Sequence, residues 1–169
     1  MKKPDIRFVS IGGMLTALTV LFQATPVILP TLGLAVSPLS TLPVAIAAYF
    51  NPFLGVSIFL SSALLLLLIS VQEALILLFS TGLLGITIGA RFYKKGIRIS
   101  TLFSGISLSF GMIFLTYIAG IPAFNELAGS FSTTVTFFIF FLFSIAYSAL
   151  WNIGFQKFVN YLRKNNLFH

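Results

Sequence analysis

The sequence predicts an all-α integral membrane protein, a bundle of six transmembrane helices. Three observations predict this fold class, namely the composition, the lengths of the apolar runs and the positions of the basic residues. Of the 169 residues, 58% are hydrophobic and only 8% are charged, whereas a typical soluble domain carries about 25% charged residues. A soluble core could not cover so much apolar surface, because even a domain of about 150 residues leaves roughly 30% of its chain surface exposed. We expect one transmembrane domain over residues 1–169.

The first apolar run covers residues 7–29 and follows the basic start MKKPDIR. Such a start is also typical of a signal peptide. The best cleavage candidate, Ala24, has Phe22 where a small side chain is required. The run also has the roughly 20 residues that cross a hydrocarbon core. We therefore interpret it as the first transmembrane helix.

The next segment, over residues 25–38, carries Pro26, Pro30 and Pro38 but is nearly as apolar as the helices around it. This composition is unusual for a solvated loop. Irregular backbone at membrane depth occurs where it packs on protein or lines a cavity. We expect an apolar loop that forms an outer flap over the bundle. The alternative is a first helix that extends further out with proline kinks.

The apolar run over residues 39–69 contains Asn51-Pro52 near its middle. As one helix it would be about 46 Å long, too long for a hydrocarbon core of about 30 Å. Proline disfavours helical geometry in the residue before it and suits the first position of a helix, while Asn tolerates turns. We predict a turn between helices over 39–50 and 53–69, with one proline-kinked helix as the alternative.

Three further helices are predicted over residues 74–92, 99–118 and 132–156. The first of them carries Gly82, Gly85 and Gly89 on one face, which lets another helix approach closely. Packing within the bundle is the expected use of this face. Gly13 and Ala17 form a similar pair on the first helix, either for internal packing or for a partner subunit.

The basic residues indicate the orientation. The chain has ten Lys and Arg against three Asp and Glu. The basic residues form clusters before the first helix, within residues 91–98 and from Lys157 onward. Short basic loops prefer the cytoplasm. A turn at Asn51 places every cluster and both termini there, and leaves Glu73 and Glu126 outside. We interpret the charge as a topology signal and expect no nucleic-acid partner.

The residue types that catalysis needs are scarce. The chain has no Cys and one His, and its three acids are far apart in the sequence. It carries no Ser/His/Asp or Cys/His set, no metal-ligand cluster and no Walker-type phosphate loop. We expect no enzyme activity, no cofactor and no metal, so uphill transport would need another subunit to supply the energy.

Polar residues on the outer side define a candidate binding pocket. Glu73 begins the fourth helix after Gln72, and Asn125 and Glu126 lie between helices five and six. An acid near the membrane is a candidate functional residue; the alternative is that both glutamates are solvated at the surface. The candidate pocket residues are Leu32, Leu34, Ser37, Gln72, Glu73, Asn125, Glu126 and Tyr147.

The chain resembles the substrate-binding S subunits of energy-coupling-factor (ECF) transporters, a type of ABC transporter, from residue 8 to about residue 164. Three stretches carry the resemblance. They are GGMLTALTVL after the basic start, LPVAIAAYFNPFLGVSIFLSSALL with its Asn-Pro-x-x-Gly turn, and the glycine-rich GLLGITIGARFYKK that ends in a basic loop.

The resemblance implies a prokaryotic plasma-membrane protein that binds a vitamin or similar micronutrient from outside, in a pocket closed by the loop over 25–38. It also implies docking on a transmembrane coupling subunit driven by two ATPase subunits. In that family a small pair on the first helix, usually Ala-xxx-Ala, contacts the coupling subunit. Gly13 and Ala17 match this pair with Gly in the first place. The sequence does not name the solute.

Two other classes of function are alternatives. A structural membrane scaffold of cell-wall machinery has a similar length and helix count, but would be expected to carry an Asp in the stretch between Asp5 and Glu73, where this chain has no acid. A solitary channel or small transporter usually needs intramembrane acids or histidines for ion coupling. We therefore place the transport subunit first.

Overall fold

The computed structural model describes residues 6–121 and 129–164, with the backbone alone for 6, 7 and 91–95. Within those ranges the chain is helical and has no strand. The helices are α1 (Ile6–Ile28), α2 (Pro30–Val36), α3 (Thr41–Phe50), α4 (Pro52–Leu67), α5 (Val71–Ile76), α6 (Gly82–Lys95), α7 (Ile97–Tyr117) and α8 (Thr133–Lys164). A 3₁₀ turn, Ser37–Ser40, joins α2 to α3, and a π segment, Leu77–Thr81, joins α5 to α6.

Several of these helical stretches have the length and composition of membrane spans. Five of the described stretches are long and apolar enough, namely Phe8–Ile28, Pro30–Phe50, Val71–Ala90, Ile97–Tyr117 and Thr133–Lys164. The stretch Pro52–Leu67 is apolar but shorter. Many large apolar side chains on these helices are exposed. The described residues therefore form a multi-pass, all-helical membrane architecture.

The segment over residues 25–38 is not the irregular flap that the sequence predicts. α1 continues to Ile28 with Pro26 inside it, and α2 begins at Pro30. Leu29, between them, has φ −128° and ψ 83°, since a residue before proline avoids helical geometry. Pro30 occupies the first helical position, where its missing N–H is not needed. The prolines thus accompany a sharp turn between helices.

The second membrane helix is consequently longer than the predicted 39–50. Pro30–Phe50 forms a nearly continuous helical stretch of 21 residues, about 30 Å long at 1.5 Å per residue. The stretch is therefore long enough to cross a hydrocarbon core of about 30 Å. α2 folds back on α1. Gly33 packs so closely on Pro26 that a β-carbon at position 33 would overlap the Pro26 backbone.

The chain turns again at Asn51, the predicted position. Asn51 is extended, with φ −149° and ψ 115°, and Pro52 is the first residue of α4. The Asn51 Oδ1 accepts a hydrogen bond from the Phe53 backbone N–H at 2.9 Å, which caps α4. Gly55 then lies against Ala48, where a β-carbon would come within 2.6 Å of the Ala48 Cα. α3 and α4 form a tight hairpin.

Two other membrane helices extend beyond their predicted bounds. α8 continues past residue 156 to Lys164, and its last turn carries Arg163 and Lys164, charges that favour a helix C-terminus. The helix predicted over 74–92 begins at Val71 and continues through the π segment to Lys95. Its start is set by Ser70, whose hydroxyl accepts from the Glu73 N–H at 3.4 Å.

The glycine face of α6 packs inside the bundle. A β-carbon at Gly85 would come within 2.8 Å of the Thr41 carbonyl oxygen of α3. Gly89 also contacts α3, and Gly82 lies against Phe59 of α4. Because glycine lets two helix backbones approach closely, this face joins α6 to the α3–α4 hairpin.

One end of the bundle brings together the end of α3, the start of α7 and the C-terminal part of α8. Tyr49 of α3 and Phe155 of α8 make an edge-to-face contact with ring centroids 5.8 Å apart. Ser100 of α7 donates to Asn152 Oδ1 of α8 at 2.6 Å. The described basic residues of α7 and α8 lie next to these contacts in the chain, so we name this the basic end.

α7 packs closely on the π segment. Gly111 lies against the Phe79 carbonyl, and a β-carbon there would overlap the carbonyl oxygen. The Phe79 ring stacks on Phe114, with centroids 4.0 Å apart. The π segment therefore contacts α7 both through its backbone and through the Phe79 ring.

Gly111→Ala is expected to lower the melting temperature of the protein in detergent. Overpacking costs about 1–3 kcal/mol, which exceeds the roughly 1 kcal/mol that alanine gains over glycine in a helix. Gly154→Ala in α8 is the control, because a β-carbon there meets no described atom within 4 Å, and it should keep or raise the melting temperature. Equal melting temperatures for the two variants would contradict the close packing at Gly111.

Candidate functional site

A buried glutamine joins four parts of the chain. Gln23 of α1 is 0% exposed. Its Nε2 donates to Glu73 Oε2 of α5 at 2.8 Å. Its Oε1 accepts from Ser40 Oγ of the 3₁₀ turn and from Thr81 Oγ1 of the π segment, each at 2.8 Å. We name Gln23, Ser40, Glu73 and Thr81 the polar junction.

Local helix structure explains how the junction residues reach one another. Glu73 lies in the first turn of α5, which Ser70 caps, and a carboxylate is favourable near a helix N-terminus. Thr81 lies at the end of the π segment, an irregularity that is frequent at functional sites. The 3₁₀ turn, the first turn of α5 and the π segment thus each supply one partner to Gln23 of α1.

Glu73 and Thr81 of the polar junction line a cavity of about 550 Å³, whereas Gln23 and Ser40 are not among its lining residues. Its lining comes from α1, α2, the 3₁₀ turn, α5, the π segment, α7 and α8. Most of its lining side chains are apolar. The polar ones, apart from the Tyr147 hydroxyl, are Ser37, Ser70, Gln72, Glu73, Ser80 and Thr81. An apolar cavity with a few polar groups on one side is the usual form of a small-molecule site.

α8 gives the cavity an aromatic wall. Phe143 and Tyr147 both line it, and their rings stack with centroids 5.6 Å apart and an interplanar angle of 20°. Tyr147 in turn meets Trp151 edge to face at 6.4 Å. The three rings recur every four residues and so share one face of α8. The wall offers a flat apolar surface to a bound ring.

Five of the predicted pocket residues border this cavity, namely Leu34, Ser37, Gln72, Glu73 and Tyr147. Leu32 is not among the lining residues and is 67% exposed on α2. It lies outside because α2 is a helix, so only part of its surface can face the cavity. Asn125 and Glu126 lie outside the described residues.

The sequence analysis did not single out Gln23, Ser40 or Thr81. Gln23 does carry a signal, because an amide inside an apolar membrane helix usually faces other helices. The two hydroxyl residues carry less signal. Serine and threonine also bond carbonyls of their own helix, as Thr19 does with Leu15 at 2.8 Å.

The small pair on α1 lies on an outward face. Gly13 and Ala17 are both exposed, and a β-carbon at Gly13 meets no described atom within 4 Å. The described bundle therefore does not use Gly13 for close packing, in contrast to the glycines of α6. This leaves the face of α1 that carries the pair open to lipid or to another protein.

The described residues contain no group of three or more His, Cys, Asp or Glu that could hold a metal ion. Comparison of the chain with protein-family models, curated proteins and solved structures finds no match. The function must therefore be inferred from the cavity, the charges and the sequence resemblance.

Gln23→Leu is expected to destabilise the protein, because it removes three hydrogen bonds of the polar junction. A buried polar group left without its partner costs about 1–3 kcal/mol. Gln156→Leu makes the same change at an exposed position of α8 and serves as the control. Thermal unfolding in detergent measures both. A Gln23→Leu protein as stable as the control would show that the junction does not hold the bundle together.

Proposed function

We propose that this chain is the substrate-binding membrane subunit of an ECF-type transporter and that it binds a vitamin or a similar micronutrient. The observation that carries the proposal is the cavity lined by Glu73, whose carboxyl group Gln23 holds from behind by a hydrogen bond. Its volume of about 550 Å³ falls within the roughly 300–1,000 Å³ typical of small-molecule sites. The mixed lining, with a carboxyl group, hydroxyl groups and aromatic rings, suits a small polar molecule with a ring.

The orientation in the proposal follows the positive-inside rule. The cavity is lined by residues from the last turns of α1, from α2 and from the turn at Ser70. These residues lie at the opposite ends of their helices from the basic end. With the basic end in the cytoplasm, both termini are cytoplasmic and the cavity faces the exterior. The membrane would be the plasma membrane of a prokaryote.

Binding and energy supply are separate in this proposal. The chain has no Walker-type phosphate loop, so two ATPase subunits and a transmembrane coupling subunit would drive transport. The exposed pair Gly13 and Ala17 offers the coupling subunit a face of α1 on which another helix can approach closely. A structural scaffold, in contrast, has no need of a cavity with a buried carboxyl group.

Gly13→Leu and Ala17→Leu are each expected to reduce co-purification of the coupling subunit and the ATPases from native membranes, because a large side chain prevents the close approach of another helix. We expect a reduction of roughly tenfold, which corresponds to a loss of about 1.4 kcal/mol of binding free energy. Gly154→Leu is the control, because it enlarges another glycine that meets no described atom within 4 Å. Unchanged recovery from the Gly13 and Ala17 variants would remove the small pair as the docking face. Recovery of cell-wall synthases in place of ATPases would overturn the transport function itself.

Cysteine labelling tests the orientation, because the chain has no Cys of its own. Leu68→Cys, at an exposed position near the end of α4, should react with a membrane-impermeant maleimide in intact cells. Asn51→Cys, at the turn of the α3–α4 hairpin, should react only after the membrane is opened. The reverse pattern would place the cavity on the cytoplasmic side.

A further inference from the structure

The cavity contains an acid and no base among its described lining residues. Glu73 is the charged side chain of that lining. The basic residues whose side chains the structure describes are Arg98, Lys157, Arg163 and Lys164, and none of these four is part of the lining. The described side chains therefore place an acid at the cavity without a base.

The hydrogen bonds of the polar junction all run toward this carboxyl group. The Ser40 and Thr81 hydroxyls donate to Gln23 Oε1, and Gln23 Nε2 donates to Glu73 Oε2. An ionised carboxylate can only accept, so an amide that faces it must present its NH₂ group. The arrangement presents an amide donor to the Glu73 carboxyl group and fixes its position from α1.

The carboxylate keeps free acceptor sites. Its two oxygens offer about four lone-pair positions, and Gln23 is its one side-chain hydrogen-bond partner among the described residues. Glu73 is only 6% exposed, yet it lines the cavity. A buried charge without a counter-charge is costly, and a solute that brings a positive group to the free sites removes that cost.

The rest of the lining suits the body of such a solute. Phe143 and Tyr147 present stacked rings, and a cation within about 6 Å of an aromatic ring is attracted to its face. Aliphatic side chains from other helices, Leu34, Ile76 and Leu108, also line the cavity. An anion would meet the carboxylate with no base to pair with, and an apolar solute would leave the carboxylate unpaired.

We propose that the cavity selects an organic cation, a small molecule that carries an ammonium-type nitrogen on a short chain attached to a flat apolar ring. The nitrogen pairs with the Glu73 carboxylate and the ring packs on Phe143 and Tyr147. This inference rests on the proposed function, because it names the class of solute that the transport subunit binds. Glu73 is then the residue that determines specificity for charge.

Three probes that share a phenyl ring and differ in charge test the inference. They are 2-phenylethylamine, a cation at neutral pH, neutral 2-phenylethanol and anionic phenylacetate. Each is added at up to about 10 mM to the purified full chain in detergent, because a ligand of the folded state raises the melting temperature with concentration. The amine should bind roughly tenfold or more tightly than the alcohol, a difference of about 1.4 kcal/mol. Phenylacetate should not stabilise the protein.

Glu73→Gln tests the role of the carboxylate, because it keeps the side-chain volume and an oxygen that can accept from Gln23. The variant should bind the amine no better than the alcohol. Its melting temperature without a probe reports whether the variant is folded. If the variant does not fold, the charge preference of the unaltered protein still decides the inference.

Stabilisation by phenylacetate or 2-phenylethanol equal to that by the amine would overturn the cation inference and leave the cavity as a binding site. Absence of stabilisation by all three probes would also overturn it. A preference for the amine that Glu73→Gln retains would assign the selection to another group. None of these outcomes bears on co-purification with the coupling subunit and ATPases, which decides the transport function separately.

Discussion

The side-chain amide of Gln23 is the interaction on which the arrangement of this bundle depends. In an apolar interior a polar group is costly unless its donors and acceptors are satisfied. Gln23 is satisfied by three segments distant from it in sequence, the 3₁₀ turn, α5 and the π segment. Two of these segments are departures from regular α-helix. One amide thus couples the first helix to α5 and to two irregular segments, and all three of these segments contribute residues to the cavity lining.

Close backbone packing provides the second constraint. Lipid tails are as apolar as leucine, so helices in a membrane associate through van der Waals packing and hydrogen bonds. Gly85 and Gly89 bring α6 against α3, and Gly111 brings α7 against the π segment. These contacts hold the elements around the polar junction while leaving larger side chains to surround the cavity. The contact at Gly111 joins two of the elements that line the cavity, α7 and the π segment.

The cavity combines two surfaces of different character. One carries Glu73, held in position by Gln23, and the other carries the stacked rings of Phe143 and Tyr147. A preformed pair of surfaces of this kind lowers the conformational cost of binding, because neither the acid nor the rings must be ordered by the solute. The exposed small pair on α1 belongs to another surface. In the proposed transport subunit, solute recognition and subunit docking would therefore depend on separate surfaces.

The sequence by itself determined the membrane class, the turn at Asn51 and the choice of Glu73 as a candidate site residue. Each of these follows from a local property of the chain: its composition, the geometry of proline, or the position of an isolated acid. It did not determine that residues 25–38 are helical, since a proline is compatible with both a helix start and an irregular loop. Nor did it identify Leu108, Met112 and Phe143 as cavity residues. In a membrane protein both the lipid-facing and the inward surfaces are apolar, so only the packing of one helix on another decides which side chains surround a cavity.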